Sequence, residues 1–338
     1  MAVPPDTKRS AARTHGVVTP ARNAEISAEV VPTRPRPSVR RKIRASWQLY
    51  VMLLLPVVQL CLFAYWPMIG IQIAFRNYNP VGGMWGSPWV GLQNFEQFFH
   101  SYEFWPVIRN TIILHGYELI ATFPLPIILA ICLNYVRQRW FSRTVQMVTY
   151  APHFISTVVV VGMLFVMLDP QTGVYHFGLA KLGINMPDFL SAPSWFRHVY
   201  VWSGAWQAMG FSAIIYLAAL SGVDVGLHEA AIVDGASKLK RIWHIDLPGI
   251  APVAIILFIL SMGSALTTGF EKVLLMQNPL NLGTSEVIDT YVYKVGLASQ
   301  VPQYSYATAI GLFQSVVGLV LIFAANRIAR KVSSTGLW

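Results

Sequence analysis

The sequence predicts an all-α membrane protein with six transmembrane helices and both termini in the cytoplasm. Three observations carry that prediction. Of 338 residues, 54% are apolar and only 12% are charged, with a mean hydropathy of +0.50, whereas a soluble domain holds about 25% charged residues. Six segments approach the ~20 apolar residues that a helix needs to cross ~30 Å of hydrocarbon. The basic residues are also divided unequally between alternate connections, 19 on one side and 6 on the other.

In chain order, residues 1–45 form a tail with six prolines and ten Lys or Arg up to Ser46. Such a composition cannot bury enough apolar surface to order itself. Its end, Arg40, Arg41, Lys42 and Arg44, is expected to fix topology and touch anionic lipid. The charged stretch before the first apolar run is too long for a signal peptide. The predicted spans are 47–70, 110–135, 145–168, 200–220, 252–270 and 305–325, within a transmembrane domain 46–338. Arg137, Arg139 and Arg143 follow the second span, Lys238, Lys240 and Arg241 the fourth, and Arg327, Arg330 and Lys331 the sixth. The opposite connections hold only Arg76, Arg109, Lys181, Arg197, Lys272 and Lys294. Basic residues stay on the cytoplasmic side, so both ends are placed there, as an even span count requires. The net charge of +10 thus belongs to a membrane surface, and no nucleic-acid partner is expected. Outer connections rich in Trp, Tyr, Pro and Gly read as interfacial anchors or partner contacts.

Most catalytic chemistry is excluded. Cys61 and Cys132 lie in apolar runs, which rules out a disulfide framework and cysteine-based metal sites. His228-Glu229-Ala230-Ala231-Ile232 nearly spells the zinc-protease motif, but Ile232 stands where the second imidazole is needed. No G-x-S-x-G elbow or phosphate-binding G-x-x-x-x-G-K-[ST] loop occurs. No catalytic residue, metal or bound cofactor is therefore assigned to this chain.

The connection 221–250 is longer than two spans require. Residues 228–234 read as a short helix, Gly235 as its left-handed cap, and 236–244 as a second short helix that Pro248 separates from span five. Ala230 and Ala231 leave no bulk, so a partner's cleft could close over the backbone, with Glu229 and Asp234 as flanking charges. Glu229-Ala230-Ala231, Gly235, Ile245, Leu247 and Pro248 together resemble the cytoplasmic EAA loop of permease subunits in binding-protein-dependent ABC importers. The segments 90–95, 151–156, 214–220 and 287–293 and the closing Leu337-Trp338 resemble its carbohydrate branch, in particular permeases for complex polysaccharides and oligosaccharides. The resemblance runs from about Trp47 to the end and leaves the tail outside.

That resemblance implies a type I importer permease fold in the bacterial cytoplasmic membrane, working by alternating access. It implies a second homologous permease, in a heterodimer, and two ATPase subunits that bind ATP and magnesium and receive the EAA helix as a coupling helix. It also implies an extracytoplasmic solute-binding protein that delivers the sugar. A secondary transporter driven by an ion gradient is the alternative, although such folds commonly carry internal repeats and none is visible.

Ionisable groups inside a membrane are costly and usually functional. His115 and Glu118, three residues apart on one helix face, form either a satisfied pair or part of the translocation pathway. His153, after Pro152, is open to both readings. Trp206, Gln207 and Tyr216 suit sugar recognition by stacking and hydrogen bonding, or helix packing. Glu271 and Lys272 are expected at the interface.

Overall fold

The computed structural model describes residues 46–181, 183, 187–267 and 269–332. The basic tail and Leu337-Trp338 lie outside the described residues. Contacts divide the chain into two units, Met1–Cys61 and Leu62–Trp338. The described part of the first contains α1 (Trp47–Leu60), whose residues are all unburied.

In the second unit, a tight helical stretch Trp66–Phe75 leads to α2 (Gln93–Phe99). Then come α3 (Phe104–Thr122) and α4 (Pro124–Tyr135), which follow one another as one long apolar rod. Pro124 falls at the start of α4, where a missing N–H costs little. Next are α5 (Arg139–Tyr150), the turn Ala151–Phe154, α6 (Thr157–Leu168) and α7 (Val174–Ala180). The long helix α8 (Pro193–Ser221) precedes α9 (Val225–Val233) and α10 (Lys238–Arg241). They are followed by α11 (Leu247–Gly263), α12 (Phe270–Met276), α13 (Leu282–Ser285), α14 (Ile288–Tyr293) and α15 (Tyr304–Val332). Only isolated bridges, and no strands, occur among the described residues.

Among the described residues five helices are long and apolar enough to cross a membrane: Trp47–Phe75, Phe104–Tyr135, Pro193–Ser221, Lys238–Gly263 and Tyr304–Lys331. The third expected span departs from its prediction. In place of one rod over 145–168, Arg139–Phe154 and Thr157–Leu168 meet at 100°. The cause is local. Pro152 sits in a tightened turn, Ile155 and Ser156 are extended, and the Ser156 Oγ accepts from the Val159 N–H to start a new helix. The six-span count holds when this bent pair is taken as one span.

The fifth span is shifted as well, ending at Gly263 instead of near Phe270. Its start corrects a second expectation, because Pro248 does not cut it off from the short helix before it. Residues Ile242–Asp246 form a wider turn in which the Leu247 N–H reaches the Ile242 carbonyl five residues back. Pro248, in the first turn of α11, therefore interrupts no ladder that the wider turn has not already relaxed, and 238–263 runs on as one helix.

Three apolar clusters hold the second unit together. One joins Leu114, Val161, Phe196, Tyr200, Val201, Val273, Met276 and Val287. Another centres on Phe98, Val107, Leu266, Ile288, Tyr306 and Ile310. The third, of Ala130, Ile131, Ala213, Tyr216, Leu220 and Ile250, fastens α4, α8 and α11. Gly210 lets α8 lie directly on α5, since a Cβ there would overlap the Thr149 carbonyl.

Candidate functional site

The loop 221–250 is built from its caps. The Asp224 side chain accepts from the Gly226 N–H at 2.8 Å and opens α9. At the other end Gly235 takes φ +73, as expected from the sequence. Its N–H bonds to the Ile232 carbonyl at 3.0 Å, and the Ala236 N–H reaches the Ala231 carbonyl at 2.8 Å. This pair of bonds is a Schellman closure, which needs the left-handed residue at that place. Ser237 then caps α10 through its Oγ.

Glu229, Ala230, Asp234 and Gly235 are exposed, whereas Ala231 is half-buried. Successive helical residues lie about 100° apart, so the two alanines cannot share one flat face. Ile245 is half-buried, Pro248 is exposed, and Leu247 packs against the α4–α8–α11 cluster. The motif thus splits into a presented part on α9 and an anchoring part at the root of α11. Sequence reasoning missed the bare apolar side chains beside it: Val233, Leu239 and Trp243 are 86%, 78% and 69% exposed.

Three of the six candidate pathway residues come together. His115, Glu118 and Tyr216 line one cavity of ≈ 370 Å³ with Thr122, Ser212, Ser261, Ser264 and Thr267. His115 and Glu118 are not an ion pair. Among the described residues Lys294 pairs with Glu286, and His228 lies within 3.3 Å of Asp246, an ion pair only when its imidazole is protonated. The cation acting on Glu118 is Lys272, a residue expected at the interface. It is instead 8% exposed, donates from Nζ to the Tyr200 carbonyl at 2.9 Å, and lies 4.9 Å over the Tyr200 ring. The reason is placement: Lys272 belongs to the short helix α12, packed on α6 and α8, and not to the end of a span. Glu271 is exposed. The His115 Nε2 is buried without a hydrogen-bond partner among the described residues.

The other three residues do different work. The Gln207 Nε2 donates to the Ile155 carbonyl at 2.8 Å and so ties α8 to the break in the third span. The His153 ring stacks on Phe211 with centroids 4.0 Å apart and planes 5° apart. Trp206 lies in an apolar groove with Met163, Met167 and Trp202. The expected Trp206–Gln207–Tyr216 recognition set is therefore not assembled. Tyr216 follows Gln207 by nine residues, about two and a half turns, which puts the two on opposite sides of α8.

The cavity offers hydroxyls, an imidazole and a carboxylate, an array that can exchange hydrogen bonds with a hydroxyl-rich solute. Its serines and threonines carry no periodic or charged signal of their own, and only the cavity collects them. Among the described residues no group of three His, Cys, Asp or Glu side chains is placed to hold a metal.

Comparison with known proteins agrees with this architecture. The chain is 44% identical to Protein LplB of Bacillus subtilis (strain 168) over 87% of this chain and 92% of the relative. It is 41% identical to the polygalacturonan/rhamnogalacturonan transport system permease protein YteP of the same organism, over 93% and 97%. A chain of a bacterial alginate ABC transporter, crystallised with an alginate pentasaccharide-bound periplasmic protein, superposes with a TM-score of 0.81. It is 38% identical, and the match covers 88% of this chain and 99% of that one. Residues 123–334 match the family of binding-protein-dependent transport system inner membrane components. The ion-coupled alternative falls with that match, and the chain belongs to this family, as a multi-pass permease subunit of an ABC importer.

Proposed function

We propose that the chain is one of two homologous permeases in an oligosaccharide importer. An extracytoplasmic solute-binding protein supplies the sugar, and two separate ATPase subunits bind ATP and magnesium and drive transport. This chain binds no cofactor and catalyses no reaction. Both termini face the cytoplasm, a reading supported by the 19-to-6 division of basic residues. Helix α9, with Glu229, Ala230, Ala231, Asp234 and Gly235, is the coupling helix. Ile245, Leu247 and Pro248 seat the helix that follows.

The observation that carries this reading is α9 itself. It is capped at both ends, buries no residue, and has Val233, Leu239 and Trp243 bare on or beside it. Apolar side chains left bare on a polar connection mark a partner's site. The oligosaccharide is supported by the substrates in the names of YteP and of the alginate transporter and by the hydroxyl-lined cavity. His115, Glu118 and Tyr216 form this subunit's share of the pathway. His153, Trp206 and Gln207 support the helices around it.

The test is reconstitution of the complete transporter in proteoliposomes. ATP hydrolysis stimulated by the sugar-loaded binding protein, together with sugar uptake, is expected. A binding screen of that partner with neutral and acidic oligosaccharides identifies the substrate. Failure of the chain to co-purify with any ATPase subunit would overturn the proposal.

A further inference from the structure

A helix that a partner moves is useful only if the spans move with it. With no buried residue, α9 has no apolar core of its own to hold it, and it is flanked by Gly222 and Gly235. Among the described residues, contacts at Val223 and at His228 tie it to the root of α11. Val223, just before α9, lies over Gly249 in the first turn of α11, where a Cβ would stand 2.7 Å from the Val223 Cγ2. The second contact is polar. The Asp246 carboxylate, 1% exposed, accepts from the Tyr135 Oη at 2.8 Å on its Oδ2, while its Oδ1, which accepts no hydrogen bond among the described residues, stands 3.3 Å from the His228 Nε2. Tyr135 is the last residue of α4, and the guanidinium of Arg241 lies 5.7 Å over its ring. One carboxylate thus joins the end of the second span, the root of the fifth and the residue next to Glu229 on α9.

We propose that Tyr135, Asp246 and His228 form a clamp of positioning residues that transmits displacement of α9 to both spans. The proposal rests on α9 being the coupling helix. A buried carboxylate that loses a partner is left uncompensated in a poor solvent for charge. The contact therefore resists separation, and α9 carries α4 and α11 with it. The Tyr135 hydrogen bond fixes direction as well as distance, and the His228 contact sets the imidazole of α9 against the same buried carboxylate.

The experiment uses the complete transporter in proteoliposomes and reads three quantities: assembly, binding-protein-stimulated ATP hydrolysis, and sugar imported per ATP hydrolysed. His228→Ala and Tyr135→Phe are expected to assemble normally. Sugar imported per ATP should drop by about 10-fold or more in Tyr135→Phe, the equivalent of one hydrogen bond to a charged group, and should also drop in His228→Ala, which removes the imidazole beside the buried carboxylate. His228→Gln, whose amide can donate to Asp246, should recover most of the ratio. A role in stability alone would lower the amount of assembled complex and leave the ratio unchanged. Tyr135→Phe removes one hydroxyl and keeps the ring beneath Arg241, so it decides the matter if the histidine variants misassemble. An unchanged ratio in assembled Tyr135→Phe and His228→Ala overturns the clamp. If Glu229→Lys and Gly235→Val also leave stimulation intact, the coupling-helix reading has failed. If those two abolish it, only the clamp has failed.

Discussion

Replacing Gly235 separates backbone conformation from side-chain bulk. The residue holds φ +73, and a Cβ added there meets nothing within 4 Å. Any penalty is then conformational and not steric against neighbours. An L-residue in the left-handed region costs roughly 1–2 kcal/mol, with Asn largely exempt because its side chain can bond locally. A β-branched residue there is a genuine outlier, and strain of this kind reaches about 3 kcal/mol. The expected order is therefore Gly235→Asn close to wild type, Gly235→Ala intermediate, and Gly235→Val worst. The last should lower the population of the closed Schellman turn by about 30- to 150-fold at 1.36 kcal/mol per decade. The assay is ATP hydrolysis stimulated by the sugar-loaded binding protein, with uptake measured in parallel. All three variants should insert normally, and sugar binding to the partner protein should be untouched. Asn, at a size between Ala and larger residues, is the diagnostic. If loss follows side-chain volume, so that Asn is worse than Ala, or if Val behaves as Gly does, the conformational argument is wrong.

Other outcomes follow from the same structure. Gly210→Ala should force α8 off α5, because the Thr149 carbonyl cannot swing aside. The loss should sit near the upper end of the ~1–3 kcal/mol typical of overpacking and be visible as a lower thermal transition in detergent. Ala230→Trp, on the exposed side of α9, should abolish ATPase stimulation, while Lys240→Ala, an exposed position outside the motif, should be mild. Reporter fusions at Ser38, Gln138 and Ser237 are expected inside and those at Gly83, Asn185 and Asn281 outside; one reversal breaks the topology. Deleting residues 1–33, which leaves the basic cluster before the first span, should keep assembly and uptake near wild type, and loss of stimulated ATP hydrolysis would expose a function in the tail.

What the sequence determined by itself is what depends on the chain nearby. Span formation needs about twenty apolar residues in a row, so all six apolar segments were legible, with errors at their ends and, in the third, at the bend after Phe154. Gly235 was legible for the same reason, since a left-handed cap is a property of one residue and its neighbours. The motif on α9 was readable because its offsets lie within twenty positions. Tertiary structure decided everything that depends on partners far along the chain. The 100° break after Pro152 is made locally, but the Gln207 amide that fastens it to α8 meets the Ile155 carbonyl from 52 residues away. Lys272 looked interfacial until its short helix packed on α6 and α8 and buried it against Tyr200. Helical phase split Gln207 from Tyr216, and packing gathered serines and threonines from separate helices around His115 and Glu118. Asp246 carries no sequence signal of its own, yet it lies against His228 and accepts from Tyr135, 111 residues earlier. Hydropathy and spacing report the solvent that each segment seeks, whereas which polar groups meet inside is fixed only when the helices close against one another and leave each buried charge to find its partner.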